Sequence, residues 1–156
     1  MAATKTLLSA LAAAGLLVAC ASDPEPAATT AGAGSGIRSG SQEDLVANIG
    51  DRVLFDTDRS TVGADQRPVL ERQARWMGQN AQVQVVVEGH ADERGTREYN
   101  LALAQRRANS ARDLLVASGV AGSRIQTISY GKDRPDALGS NEESWARNRR
   151  AVTVVR

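Results

Sequence analysis

Between Ala21 and Ser41 the chain reads ASDPEPAATTAGAGSGIRSGS, and Ile37 is the only large apolar side chain in it. A stretch of this composition cannot bury enough surface to offset the entropy of ordering it, so a flexible linker is expected there. Such a linker would have a mean reach of roughly 25 Å as coil and a fully stretched limit on the order of 70 Å. The break confines any core to residues 42–156, enough for one ordinary domain and not for two. Hydrophobic residues make up 42% of the chain but aromatics only 3%, so that core must consist mostly of Val, Leu, Ile and Ala.

Upstream of the linker, Met1 to Lys5 gives a weakly basic start, and Leu7 to Ala19 is an apolar run with Ser9 its only polar side chain. That run is too short to span a bilayer, which takes about 20 apolar residues, and it has the length of a secretory h-region. It ends Leu17-Val18-Ala19-Cys20, which resembles the bacterial lipobox. The resemblance implies a lipoprotein signal peptide over residues 1–19 and lipid attachment at Cys20, with a diacylglyceryl thioether and an N-acyl chain. Two or more acyl chains anchor a protein stably where one holds only marginally. Ala21, rather than Asp, after the cysteine implies sorting to the outer membrane. An ordinary signal peptide with a chance cysteine is the alternative. As the only cysteine, Cys20 can form neither an internal disulfide nor a multi-cysteine metal site.

Charge excludes more than it suggests. With 19 basic and 18 acidic residues the formal net charge is +1, and no Lys-rich patch points to nucleic acid. Seventeen of the basic residues are Arg, which suits planar contacts to carboxylates, although a genome's base composition produces the same bias.

Within residues 42–156, Leu45–Ile49 and Arg52–Phe55 flank Gly50-Asp51 and predict two short strands around a turn. Asp65 is placed to cap a helix reaching about Gln79, with Leu70, Ala74 and Met77 on one stripe. Residues 81–88, AQVQVVVE, predict a strand burying Val83, Val85 and Val87. A helix is expected from about Thr96 to Ala117, burying Leu103, Ala104, Ala108, Ala111, Leu114 and Leu115 and leaving Arg97, Arg106 and Asp113 in water. Arg124–Tyr130 predicts a strand, Asn141–Arg149 a short helix and Ala151–Val155 a closing strand. The order gives an α+β fold of βαβαβ type, a mixed sheet with helices packed on one face. Right-handed crossovers would gather strand ends along one edge.

The chemistry concentrates in Glu88-Gly89-His90-Ala91-Asp92-Glu93-Arg94, where a hydrophobic strand runs into a polar loop. Such loops, held between rigid elements, often carry binding groups. Three readings stand side by side. A zinc deaminase centre would need a downstream Cys pair, and a His-rich zinc site more than the single histidine present; no metal, cofactor or catalytic set is expected. Glu88, Glu93 and Arg94 can equally be ion-paired structural residues. The third reading is a recognition loop.

VEGHADERGTREYNLALAQRRA resembles the signature of the OmpA-like peptidoglycan-binding domain, specifically that of the peptidoglycan-associated lipoprotein (Pal) family. Ile128-Ser129-Tyr130-Gly131-Lys132-Asp133-Arg134-Pro135 and Asn148-Arg149-Arg150-Ala151-Val152 match the family's later motifs, so the resemblance spans residues 42–156. Thr57-Asp58-Arg59-Ser60 departs from the usual first loop, where an aromatic often follows Phe-Asp. The resemblance implies an OmpA-like fold and a ligand, the meso-diaminopimelate of the wall's stem peptide, whose distal carbon carries both an ammonium and a carboxylate. By position, Asp92 would accept from the ammonium and Arg107 would fork onto the carboxylate. Phe55, Asp56, Gly89, His90, Ala91 and Leu101 are implied as further peptidoglycan-binding positions, with Arg106 in solvent and Arg149 and Arg150 as braces.

The function implied is a non-catalytic tether on the periplasmic face of the outer membrane, lipid-anchored through Cys20 and bound to peptidoglycan. Partnership with TolB and the Tol system, supporting outer-membrane integrity and constriction in cell division, is implied as well. The alternative keeps the fold but makes it a periplasmic interaction module that holds a partner such as TolB with little wall binding.

Overall fold

The computed structural model describes residues 36–156. The signal peptide expected over 1–19, Cys20 and most of the expected linker lie outside the described residues. Residues just before the expected domain boundary are already tied to it: Ser39 Oγ donates to Asn80 Oδ1 (3.0 Å) and Gly40 N to Asp44 Oδ2 (3.0 Å).

A short helix, α1 (Gln42–Asp44), is capped by Ser41, whose Oγ accepts from Asp44 N, and it continues as a π-helical turn over Leu45–Ile49. This corrects the strand predicted for Leu45–Ile49. Leu45 is fully buried, and the turn is fastened to the following helix by Trp76 Nε1, which donates to Asp44 Oδ2 (2.7 Å), and Arg72 Nε, which donates to Ile49 O (3.3 Å). Those partners lie more than twenty residues downstream, so tertiary contacts override a strand-like local pattern. Gly50 then reverses the chain at φ +94°, a backbone setting that favours glycine.

Four strands follow: β1 (Arg52–Leu54), β2 (Val85–His90), β3 (Ile125–Gly131) and β4 (Arg150–Val155). Interleaved are α2 (Arg67–Gln79), α3 (Arg97–Ala117) and α4 (Glu142–Asn148). The sheet order is β1-β4-β2-β3, with β2 parallel to β3 and β4 antiparallel to both of its neighbours, which makes it the mixed α+β sheet expected. Helix α2 does not start on Asp65: that carboxylate accepts from Gln66 Nε2 (2.8 Å), and the helix opens at Arg67-Pro68 without a side-chain cap.

The inner face of the sheet presents Val53, Val85, Val87, Ile125 and Ala151 to Leu70, Ala74, Met77, Ala108, Ala111 and Leu115 of α2 and α3. Alternation explains this: Val85 and Val87 are fully buried, whereas Val86 between them is half-buried. One polar bridge crosses this layer. Thr153 Oγ1 donates to Gln73 Oε1 (2.8 Å), and Gln73 Nε2 donates to Gly50 O (2.7 Å), so both buried groups are satisfied. Among the described residues no helix is long and apolar enough to cross a membrane.

Register fixes where the loops go. Leu54 pairs with Arg150, Gly89 with Ala151, and His90 with Gly131. The ends of β1, β2 and β3 and the start of β4 therefore lie along one edge of the sheet, and residues 55–66, 91–96 and 132–141 emerge there beside α4.

Candidate functional site

The loop after β2 is shaped before it does any chemistry. A Cβ on Gly89 would overlap the Ala104 carbonyl of α3, so only glycine permits so close a helix–strand approach. The register shift between Gly89 and His90 ends regular pairing and re-aims the chain. Thr96 caps α3 by accepting from Tyr99 N (3.2 Å), and Asn100 Nδ2 closes the loop onto Arg94 O (2.8 Å).

At the centre stands Asp92, 7% exposed. Its Oδ1 accepts from Arg94 N and Nε (both 3.1 Å); its Oδ2 accepts from Arg94 Nη2 (2.7 Å) and Arg149 Nη1 (3.4 Å). Burial pushes the carboxyl pKa up, but the hydrogen bonds and charge of Arg94, helped by Arg149, outweigh that and hold it below the usual carboxylate range. Asp92 is thus an ionised group at the base of a cleft of about 270 Å³ lined by Thr57, Asp58, Arg94, Gly95 and Tyr99.

Arg107 lies one layer below, with no exposed surface. Its Nε donates to Arg59 O (2.8 Å), Nη1 to His90 O (2.9 Å) and Nη2 to Asp56 O (3.1 Å), and its guanidinium carbon sits 5.3 Å from the Phe55 ring centre. One side chain from α3 thereby locks the β1–α2 loop to the β2–α3 loop. Burial lowers its pKa to about 10, partly opposed by the Asp92 charge, so it remains cationic at neutral pH. The two residues that the resemblance paired are brought to the same edge. Only Asp92 lines the cleft, because Arg107 is drawn inward by three carbonyls that would otherwise be buried without partners.

Among the other expected residues, Phe55 is buried and its carbonyl accepts from Arg149 Nε (3.0 Å). The Asp56 side chain lines a separate cleft of about 220 Å³ with Thr61, Asp65, Gln66 and Arg149. Ala91 is buried, with its N–H on Gly131 O (2.8 Å). Leu101 faces β3, where its carbonyl accepts from Ser129 Oγ (2.7 Å). His90 is 2% exposed on the far face of the sheet, stacked on Tyr130, and neither ring nitrogen meets a hydrogen-bond partner. Burial first and then the Arg150 charge lower its pKa to about 4, so it is neutral at neutral pH. Arg106 is exposed as expected, and Arg149 braces the loops, bridging Phe55 O, Asp92 and Glu142 Oε1 (2.6 Å).

The sequence from residue 54 to 149 matches the OmpA family. The peptidoglycan-associated lipoprotein of Mesorhizobium japonicum is 60% identical over 116 residues, covering 74% of this chain and 69% of that protein. This chain belongs to the OmpA family, among its peptidoglycan-associated lipoproteins. The Rhizobium meliloti peptidoglycan-associated lipoprotein is 49% identical over 142 residues, covering 89% of this chain and 81% of its own length. In three dimensions, the crystal structure of the peptidoglycan-associated lipoprotein from Burkholderia pseudomallei superposes with a TM-score of 0.66 at 40% identity, covering 68% of this chain and 90% of that one.

Sequence reasoning missed Trp145, whose Nε1 donates to Glu93 Oε1 (3.0 Å) and whose ring lies 4.3 Å under the Arg94 guanidinium carbon. It also missed Tyr99, whose hydroxyl reaches Asp58 Oδ1 (3.4 Å) across the cleft. The half-exposed Trp on a short polar helix was the available signal for the first. Among the described residues, no cluster of His, Cys, Asp or Glu is arranged to hold a metal ion.

Proposed function

We propose that this lipoprotein binds peptidoglycan non-covalently through the zwitterionic end of a meso-diaminopimelate stem peptide and so tethers the outer membrane to the wall. The observation that carries this reading is a carboxylate, Asp92, kept ionised at the base of an open cleft with a cationic guanidinium in the layer beneath it. Asp92 takes the ligand's ammonium. Arg107 uses three of its five N–H donors on carbonyls of the two loops, and its charge and remaining donors attract the ligand's carboxylate as the Asp56–Arg59 loop shifts. Phe55 and Asp56 shape that loop, while Gly89, His90, Ala91 and Leu101 fix the β2–α3 loop against β3 and α3.

In this reading the domain catalyses nothing. Acyl chains on Cys20 hold it at the periplasmic face of the outer membrane, and the linker lets it reach the wall. A single stem-peptide contact is weak, but many copies in the wall and confinement by the anchor raise the effective affinity. TolB and the Tol system are the further partners, acting in envelope integrity and constriction during division.

The test is sedimentation of the detergent-solubilised full chain with purified peptidoglycan. Wild type should co-sediment and Asp92→Asn should stay in the supernatant. Equal co-sedimentation of both would remove Asp92 from the site, and no co-sedimentation of wild type would overturn wall binding.

A further inference from the structure

Asp92 has no lone pair left to offer. Two Arg94 donors and the Arg94 backbone amide take most of its acceptor capacity, and Arg149 approaches the rest from below. The two arginines are not equivalent. The Arg149 side chain is only 7% exposed and is fixed by Phe55 O and Glu142, whereas the Arg94 side chain is 38% exposed and forms part of the cleft wall. Of the two cations on Asp92, Arg94 is the one that shares the solvent-facing cleft with it.

Arg94 is also seated. Its guanidinium carbon lies 4.3 Å from the centre of the Trp145 ring, Nη2 reaches Thr57 Oγ1 at 3.4 Å, and Trp145 is itself oriented by its hydrogen bond to Glu93. A guanidinium placed over an indole and forked onto a carboxylate is a stable resting geometry.

We propose that Arg94 is a resident cation of the ligand site, occupying on Asp92 the place an incoming ammonium must take, with Trp145 as the seat that keeps it there. The inference rests on the proposed role of Asp92 and adds the regulation of that site. Ligand binding is then an exchange of one cation for another. Affinity is set by the difference between the two, and ligands without a well-placed ammonium are refused because they cannot displace the resident. Any event that draws Arg94 or Trp145 away, such as a protein docking against α4 and the β2–α3 loop, would open the site.

The experiment is calorimetric titration of the full chain in detergent with a soluble muropeptide ending in meso-diaminopimelate, comparing wild type with Arg94→Ala, Arg94→Gln and Trp145→Leu. Thermal melts verify that each variant is folded. Losing a half-exposed ion pair as competitor should tighten binding about fivefold in either Arg94 variant, with a smaller gain for Trp145→Leu. Binding seen only in the Arg94 variants would support the same exchange in a stronger form. If wild type binds and the folded Arg94 variants bind equally or more weakly, the resident-cation idea is overturned while the site assignment stands. If neither wild type nor variants bind, both fall together.

Discussion

The two ends of the sheet use the same device and do different things with it. At the end where β2 begins, Arg124 donates to Met77 O, Asn80 O and Val83 O, closing the C-terminus of α2 and the turn after it. At the end where β2 finishes, Arg107 donates to Asp56 O, Arg59 O and His90 O. Each guanidinium satisfies three carbonyls that helix or sheet cannot. Arg124 is half-exposed, so solvent can reach the same groups. Arg107 is fully buried, faces an aromatic ring and feels the charge of Asp92. The difference separates a helix cap from the proposed binding edge: the contacts are alike, and a buried carboxylate with a cleft beside it is found only next to Arg107.

Substitution of the two arginines should separate those roles by magnitude. Arg107→Ala removes three charge-assisted hydrogen bonds from a place water does not reach and should cost about 4 kcal/mol, measured by urea unfolding. A loss below about 1 kcal/mol would mean the loops are held by something else. Loss of wall binding in Arg107→Ala therefore cannot be read as loss of a contact, which is why Asp92→Asn is the cleaner probe.

The same end should also respond to acid through a buried histidine. His90 has a folded pKa of about 4, depressed from its ordinary 6.5 by burial and by the Arg150 charge, with the Arg134 backbone and Asp136 opposing the shift and the Arg134 charge adding to it. Because the unfolded chain takes up the proton first, this stabilisation is complete above about pH 6.5 and drains away as pH falls toward 4. The total is about 3 kcal/mol. Wild type should therefore lose about 3 kcal/mol relative to His90→Phe as pH falls across that window, and parallel curves would rule His90 out as the cause. Arg124→Ala should cost about 1 kcal/mol with wall binding intact. Thr96→Ala, which uncaps α3 beside the site, should cost about 1 kcal/mol too, at the low end of the series; both follow from denaturant midpoints at fixed slope.

What the sequence made legible follows the same division. Strand β2 and helices α2 and α3 were readable because burying one face imposes a period of two or 3.6, and Val85, Val87, Leu103, Ala108 and Leu115 keep to it. Leu45–Ile49 was misread because its helical turn depends on Trp76 and Arg72, which no local pattern reveals. At the binding edge the family signature singled out Asp92 and Arg107, and the register explains their meeting. The pairings themselves were not legible: Arg149 Nη1 reaches the Asp92 carboxylate across 57 positions, and Arg107 Nη2 reaches the Asp56 backbone carbonyl across 51, an acceptor that any residue type supplies. Backbone acceptors leave no mark in a sequence, so a clamp made of them appears only in three dimensions.

Asp92 is proposed to receive an ammonium whose carbon also bears a carboxylate. Amide chemical-shift titration of the labelled chain tests it most directly, comparing a stem peptide ending in meso-diaminopimelate with its analogue lacking the distal amine. Shifts centred on Asp92, Arg94 and Gly95, with the analogue binding roughly tenfold more weakly or worse, are expected. Equal binding of the two peptides, or shifts centred instead on the cleft at Thr61, Gln66 and Ala146, would contradict it.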